Sequence, residues 1–245
     1  MSELKNSQAN SGDLISLANK YGTDKWNVHW YMRHYETHFG PLKRNNLHLL
    51  EVGVGGYSDS SKGGESLRVW RDYFPNAKIF GIDIYDKKAV EDDRIKVFQG
   101  DQCDTAFLTR VVREVGGFDI VIDDGSHLNS HVIRTFKMLF PLLNNRGIYV
   151  VEDTQTSYWP GFGGSSDRLN NRKTTMGYFK SLLDGLNYAE FIRPGYSPTY
   201  FDRNIVAIHF YHNLIFIYKG SNDEGSNIIK DNNTEIKGLL KSAFK

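Results

Sequence analysis

Side chains suited to chemistry concentrate in two short runs. One reads Phe118-Asp119-Ile120-Val121-Ile122-Asp123-Asp124-Gly125-Ser126-His127, the other Ile148-Tyr149-Val150-Val151-Glu152-Asp153. Each is an apolar, β-branched stretch closed by acids. That is the pattern of a central strand in a parallel sheet, buried on both faces and meeting solvent only at its carboxyl end. Open α/β sheets hold their ligands at that end. If the two strands are neighbours, Asp123, Asp124, Glu152 and Asp153 converge with His127 on one crevice, a crowding that is costly unless a cation or a proton offsets it. Asp124, Glu152 and Asp153 offer hard oxygen ligands with no cysteine or histidine pair beside them, so the ion expected is Mg²⁺ or a similar divalent cation, not zinc. His127 lies three residues beyond Asp124, close enough to face the same crevice as a general base. The structural alternative has Asp124 capping the next helix while Glu152 and Asp153 are solvated.

A second constellation surrounds the first strand. Leu49-Leu50-Glu51-Val52-Gly53-Val54-Gly55-Gly56 puts Gly53, Gly55 and Gly56 directly after an apolar run, where a missing Cβ lets a ligand approach the backbone. The dinucleotide spacing G-x-G-x-x-G is incomplete, because Ser58 stands where the third glycine belongs. The next strand ends in Gly81-Ile82-Asp83-Ile84, and an acid there can accept both hydroxyls of a ribose. Asp101 and Gln102 follow a third strand and could read an adenine edge. Together these residues point to an adenosine-bearing ligand; a glycine-rich turn with a solvated acid is the plain alternative. His131 shares a helical face with His127 and is expected to support or cap. His209 and His212 carry no assigned role. Tyr21 and Lys25 have the Y-x-x-x-K spacing of short-chain dehydrogenases but precede the first strand, so that match is accidental.

The elements that must position these residues alternate. Helical spacing covers 13–20, 29–39, 65–73, 105–115, 130–143 and 175–183, and strand patterns cover 47–54, 78–84, 95–99, 118–123, 147–151, 188–192, 205–210 and 214–218. Tyr31, Tyr35 and Phe39 recur every four residues and form one core-facing stripe. The alternation predicts an α/β protein with a parallel sheet. Tyr211-His212-Asn213 joins the last two strands as a hairpin turn. Residues 155–175, rich in Gly, Ser and Asn around Tyr158, Trp159 and Phe162, are expected to form a lid loop whose rings could stack on a sugar. The chain divides into a helical segment at 1–45, a ligand-binding domain at 46–220 and a polar tail at 221–245 with a short helix at 236–243.

At 245 residues the chain suits one large α/β domain, and Lys plus Arg at 30 against Asp plus Glu at 29 leaves no global field for nucleic acid or anionic lipid. Cys103 stands alone, which excludes an internal disulfide and suits a reducing compartment; neither a leader-like apolar stretch nor a membrane-length run is present, and a cytoplasmic location is expected.

Several segments resemble the class I S-adenosylmethionine methyltransferases, and more closely the macrocin and mycinamicin type of sugar O-methyltransferases. They are Tyr21-Gly22-Thr23-Asp24-Lys25, Glu51 to Tyr57, Gly64-Glu65-Ser66-Leu67-Arg68, Gly81 to Ile84, Gly100-Asp101-Gln102, Ile122 to His127, and Glu152-Asp153-Thr154-Gln155-Thr156-Ser157-Tyr158-Trp159. The glycine loop is generic to class I enzymes; I-D-D-G-S-H followed by E-D-T-Q-T-S-Y-W is far more specific. The resemblance implies a Rossmann-like, seven-stranded, mostly parallel sheet with helices on both faces and a C-terminal antiparallel hairpin. It implies S-adenosylmethionine and Mg²⁺ as cofactors, a sugar or glycoside acceptor, and self-association. By position, Asp124, Glu152 and Asp153 would hold Mg²⁺ and His127 would be the base. Asp83, Asp101, Gln102, Asp123, Glu51 and the Gly53 to Gly56 loop would contact the cofactor, with Thr23 and Ser66 as further candidates. The longer relatives carry a large N-terminal domain with no counterpart in this sequence, which leaves acceptor and assembly open. A catalytically silent adenosine-binding protein and a nicotinamide-dependent oxidoreductase are the competing classes; the missing third glycine and the misplaced Tyr and Lys argue against the latter.

Overall fold

The computed structural model describes residues 13–226 and Ile229; the predicted terminal helix at 236–243 lies outside the described residues. Strands β1 (His48–Val52), β2 (Lys78–Asp83), β3 (Ile95–Gln99), β4 (Phe118–Asp123), β5 (Leu143–Val151), β6 (Ile205–Tyr211) and β7 (Leu214–Lys219) form one sheet in the order β3-β2-β1-β4-β5-β7-β6. The first five pair in parallel, and β7 runs antiparallel to both β5 and β6. The expected Rossmann-like sheet with its closing hairpin is therefore present among the described residues.

Alternation within each strand builds two cores. Leu49, Ile79, Ile120, Ile122, Ile148 and Val150 face helices α1 (Leu14–Tyr21), α2 (Met32–Phe39) and α3 (Glu65–Tyr73), packing on Tyr35, Phe39, Trp70 and Phe74. Leu50, Val52, Val121, Tyr149 and Val151 face α4 (Thr105–Val115), α5 (Asn129–Leu142) and α6 (Thr175–Leu182), packing on Phe107, Phe136, Phe140 and Phe179. Burial on both faces explains why these strands read as continuous apolar runs. Capping starts the helices where their sequences allow: Asp13 accepts from Ser16 N at 2.7 Å, and Asp104 accepts from Ala106 N and Phe107 N.

Residues 188–192, expected as a strand, are not one. A 3-10 segment, Asp184–Glu190, ends there, broken at Asn187, and packs beside α7 (Tyr200–Asn204) and β6. Gly185 and Asn187 ahead of the run favour a turn, and Tyr188 Oη donates to Asn222 O, so the hydrogen bonding of this segment lies with the chain after β7. The run that follows α5 also differs: β5 begins at Leu143, four residues before the expected start, with an irregular register opposite Phe118 and Ile120.

Residues 155–175 are more structured than a lid loop. They contain 3-10 turns at Thr154–Tyr158 and Pro160–Phe162, and Asn129 pins them by donating to Thr156 O and Phe162 O while accepting from Thr175 N. Thr156 and Ser157 are buried, whereas Trp159 is half exposed. No helix among the described residues is long and apolar enough to cross a membrane.

Candidate active site

Strand order reverses between β1 and β4, and the carboxyl ends of β1 to β5 open there into a cavity of about 780 Å³. Gly53, Gly55 and Gly56 line it after β1, Asp83 with Ile84 and Tyr85 after β2, Asp101 and Gln102 after β3, Asp124 to His127 after β4, and Asp153 after β5. Thr23, Glu51 and Ser66 complete the wall from below and from α3. One cavity thus brings the glycine turn, Asp83, Asp101 and Gln102 together with Asp124, His127 and Asp153.

On the side toward β2, backbone geometry dominates. Gly53 has φ +92°, and a Cβ there would stand 2.2 Å from Asp124 O, so the turn after β1 passes under the end of β4 only because that residue is glycine. Asp83 Oδ2 accepts from Val54 N and Oδ1 from Tyr85 N, both at 2.9 Å, which clamps the glycine turn to the end of β2 and leaves the carboxylate at the cavity wall. Glu51 is fully buried beneath the turn, accepting from Ser66 Oγ at 2.7 Å and Trp70 Nε1 at 2.6 Å. Asp101 Oδ1 accepts from Cys103 N at 2.7 Å.

Two expected cofactor contacts are engaged elsewhere. Gln102 reaches the cavity, but its Oε1 accepts from Ser126 N at 2.9 Å and its Nε2 donates to Thr135 Oγ1 at 3.0 Å. Its side chain therefore holds the turn that carries His127, lying so close that a Cβ on Gly125 would stand 2.3 Å from Gln102 Oε1. Asp123 lies behind this wall, 1 % exposed, between Gln102 Nε2 and Tyr149 Oη, and burial pushes its carboxyl up to about 6. It is not among the residues lining the cavity.

Asp124, His127 and Asp153 offer ligand atoms that lie within 4.8 Å of one another. His127 Nε2 is 3.9 Å from Asp124 Oδ1 and 3.6 Å from Asp153 Oδ2. Both His127 and Asp153 hold positive φ, 56° and 52°, a strained backbone often found where side chains are aimed for function. Glu152 points the other way: its Oε2 accepts from Lys25 Nζ at 2.6 Å and its Oε1 from Tyr35 Oη. Asp124 does not cap α5, whose N-cap Leu128 has no side-chain cap bond; its Oδ2 accepts from Lys25 Nζ at 2.6 Å. Ser126 Oγ lies 3.0 Å from His131 Nδ1, which places His131 in support of the turn.

Lys25 is the residue missed from the sequence. It is 1 % exposed, and Glu51 Oε1 lies 3.4 Å from its ammonium in addition to the two contacts above. Burial opposes its charge, but Asp124, Glu152 and Glu51 outweigh that and hold it well above the ordinary lysine value. Burial, reinforced by Asp124, raises the Glu152 carboxyl, with Lys25 offsetting part of the rise. Asp153 behaves oppositely: burial would raise it, yet the Tyr31 hydrogen bond and the His127 and His29 rings hold it below the usual carboxylate value. The stripe of Tyr31, Tyr35 and Phe39 does face the core, as expected, but two of its hydroxyls end on the acids. In the sequence Lys25 stood out only as the end of an accidental Y-x-x-x-K spacing and of the Tyr21 to Lys25 segment, neither of which points to these acids.

The two carboxylates of Asp124 and Asp153 line the cavity and offer hard oxygen ligands that fit a divalent cation, with the His127 imidazole beside both.

No family model matches the chain. It is 48 % identical over 215 residues to mycinamicin VI 2''-O-methyltransferase of Micromonospora griseorubida, spanning 87 % of this chain and 54 % of that enzyme. Demethylmacrocin O-methyltransferase of Streptomyces fradiae is 47 % identical over the same shares. MycE methyltransferase from the mycinamycin biosynthetic pathway, solved in complex with Mg, SAH and mycinamycin VI, superposes with TM-score 0.81 at 46 % identity over 87 % of this chain and 56 % of that one. A MycE structure with Mg and SAH gives TM-score 0.87 over 95 % and 59 %. The chain spans about half the length of the curated relatives it matches. By sequence and by fold, it is a homologue of the macrocin and mycinamicin type sugar O-methyltransferases and has their class I methyltransferase fold.

Proposed function

We propose that the protein transfers a methyl group from S-adenosylmethionine to a hydroxyl of a sugar on a glycosylated small molecule, with Mg²⁺ as its metal. The observation that carries this is the single cavity in which a glycine turn and Asp83 stand opposite Asp124, His127 and Asp153. The homologues' names supply the acceptor class.

Bound S-adenosylmethionine would bring an electrophilic methyl group, and Mg²⁺ would supply Lewis acidity toward the acceptor hydroxyl. Asp83 is placed to accept from ribose hydroxyls, and the Gly53 to Gly56 turn lets a ligand lie against the backbone. Glu51, Ser66 and Thr23 line the same side, with Asp101 at the rim. Asp124 and Asp153 would hold the cation, with Glu152 beside them in the lysine-bridged layer. His127 Nε2 takes the proton of the acceptor O–H as the new O–CH₃ bond forms and the S–CH₃ bond breaks, leaving S-adenosylhomocysteine. Phe162 lines the cavity and packs near half-exposed Trp159, a pair suited to the apolar face of a sugar. A cytoplasmic setting and self-association belong to the same proposal.

Calorimetric titration tests it with S-adenosylhomocysteine, with and without Mg²⁺, and with NADH. Binding of the sulfur ligand and not of NADH is the expected result. Binding of NADH alone would overturn the methyltransferase reading, and binding of neither would leave a chain with the fold but without the chemistry.

A further inference from the structure

One segment ahead of the first strand supplies a partner to each acid at the ends of β4 and β5 that faces the cation cluster or backs it. Lys25 donates to Asp124 Oδ2 and Glu152 Oε2, Tyr35 to Glu152 Oε1, and Tyr31 Oη to Asp153 Oδ1 at 2.7 Å. His29 Nε2 stands 3.6 Å from that same Asp153 oxygen, its ring stacked on Tyr31. The consequence is a sorting of oxygens. Asp124 Oδ2 and Asp153 Oδ1 are taken by the segment, and Asp124 Oδ1 and Asp153 Oδ2 are the ones nearest His127.

We propose that Tyr31 is a positioning residue for the divalent cation, acting by holding Asp153 through Oδ1 so that Oδ2 is presented to the cluster. The inference deepens the metal-dependent reading above and rests on it. A carboxylate free to turn about its last bond offers a cation a range of planes; one held through a single oxygen offers the other in one direction. Tyr31 is well placed to impose this. It is 2 % exposed, and its Oη also lies 3.2 Å from Asn213 O in the β6–β7 turn, so the phenol spans Asp153 and the hairpin. The backbone beneath is fixed by the same turn, since Thr154 N donates to Asn213 O at 3.2 Å. Hydrogen-bond partners behind a metal-binding carboxylate or imidazole typically account for about 10- to 100-fold in metal affinity.

The test is Mn²⁺ binding to Tyr31→Phe, followed by the electron paramagnetic resonance signal of free Mn²⁺, beside S-adenosylhomocysteine calorimetry in EDTA. Removal of one hydroxyl should weaken Mn²⁺ by about 10- to 100-fold and leave metal-free ligand affinity within about twofold. In an Asp153→Asn background the same substitution should add less than about twofold, because its target oxygen pair is gone. Unchanged Mn²⁺ affinity in Tyr31→Phe, or losses that multiply in the double variant, would overturn the inference while leaving the metal reading intact. A wild-type protein that binds no Mn²⁺ would overturn both. Should Tyr31→Phe not fold, His29→Ala removes the second group on Asp153 Oδ1 from a partly exposed position; weaker Mn²⁺ binding is required there too, and unchanged binding overturns the inference.

Discussion

Lys25 Nζ and Asp124 Oδ2 stand 2.6 Å apart across 99 residues of sequence, and the same ammonium lies 2.6 Å from Glu152 Oε2 and 3.4 Å from Glu51 Oε1. One buried cation therefore joins the acid beneath the glycine turn to the acids ending β4 and β5. Removing one partner of a buried ion pair leaves uncompensated charge, which typically costs about 3–5 kcal/mol. Lys25→Met should lower the free energy of unfolding, read from urea titration, by an amount in that range. Adding Glu152→Met should recover only part of the loss, since Asp124 and Glu51 would still lack their cation. A single variant as stable as the wild type would show that the acids take up protons instead.

His127 Nε2 stands beside two carboxylates, Asp124 and Asp153, which places the imidazole at the cation cluster. His127→Ala should lower kcat by about 10²- to 10⁴-fold, the usual contribution of a general base, with S-adenosylhomocysteine affinity within about twofold of wild type. Near-normal turnover on a glycoside acceptor would remove the imidazole from the proton transfer.

Much of the fold was legible because central strands are buried on both faces, so that Leu49-Leu50 and Ile120-Val121-Ile122 declare themselves as apolar runs whichever face each residue serves. The acids that end those runs were legible for the same reason, as charges placed where apolar sequence stops. Residues 188–192 misled because a short alternating pattern says nothing of whether an open sheet edge awaits it, and Gly185 and Asn187 decided the matter. The role of Lys25 was not legible because its partners are set by tertiary packing; the same holds for the structural role of Gln102, whose amide is taken up by Thr135 and by the Ser126 backbone on elements distant in sequence.

A histidine cluster outside the cavity gives the protein an acid limit. His38 Nδ1 lies 2.5 Å from Tyr218 Oη and Nε2 2.9 Å from Tyr211 Oη, with its ring stacked on Phe216. Burial, then the neighbouring His209 and His34, lower its pKa to about 4. Between that value and the ordinary 6.5, the unfolded chain binds more protons than the folded one, so stability is complete above pH 6.5 and falls as pH drops toward 4. The loss assignable to this ring is about 1–2 kcal/mol after allowance for solvent screening. Thermal unfolding of wild type and His38→Gln at pH 7.5 and pH 4.5 checks it: the variant should lose less Tm on acidification. Equal losses would place the acid sensitivity elsewhere.

Gly53 offers the sharpest test of the cavity wall. Its φ of +92° lies in a region that side chains avoid, and a Cβ would meet Asp124 O at 2.2 Å, Asp124 C at 2.8 Å and Gly125 Cα at 3.0 Å. All three are backbone atoms, so relief requires the turn after β1 or the end of β4 to move. Strain of this kind costs about 1–3 kcal/mol before the clash is counted. The displacement would reach both sides of the site at once, because Val54 N holds Asp83 on one side and Asp124 carries the cluster on the other. Gly53→Ala should therefore weaken S-adenosylhomocysteine in EDTA and Mn²⁺ in the absence of S-adenosylhomocysteine together, each by at least about tenfold, which corresponds to 1.4 kcal/mol. Loss of one affinity with the other intact would mean that the turn and the strand end relax independently, and that the two halves of the cavity are not mechanically joined at this contact.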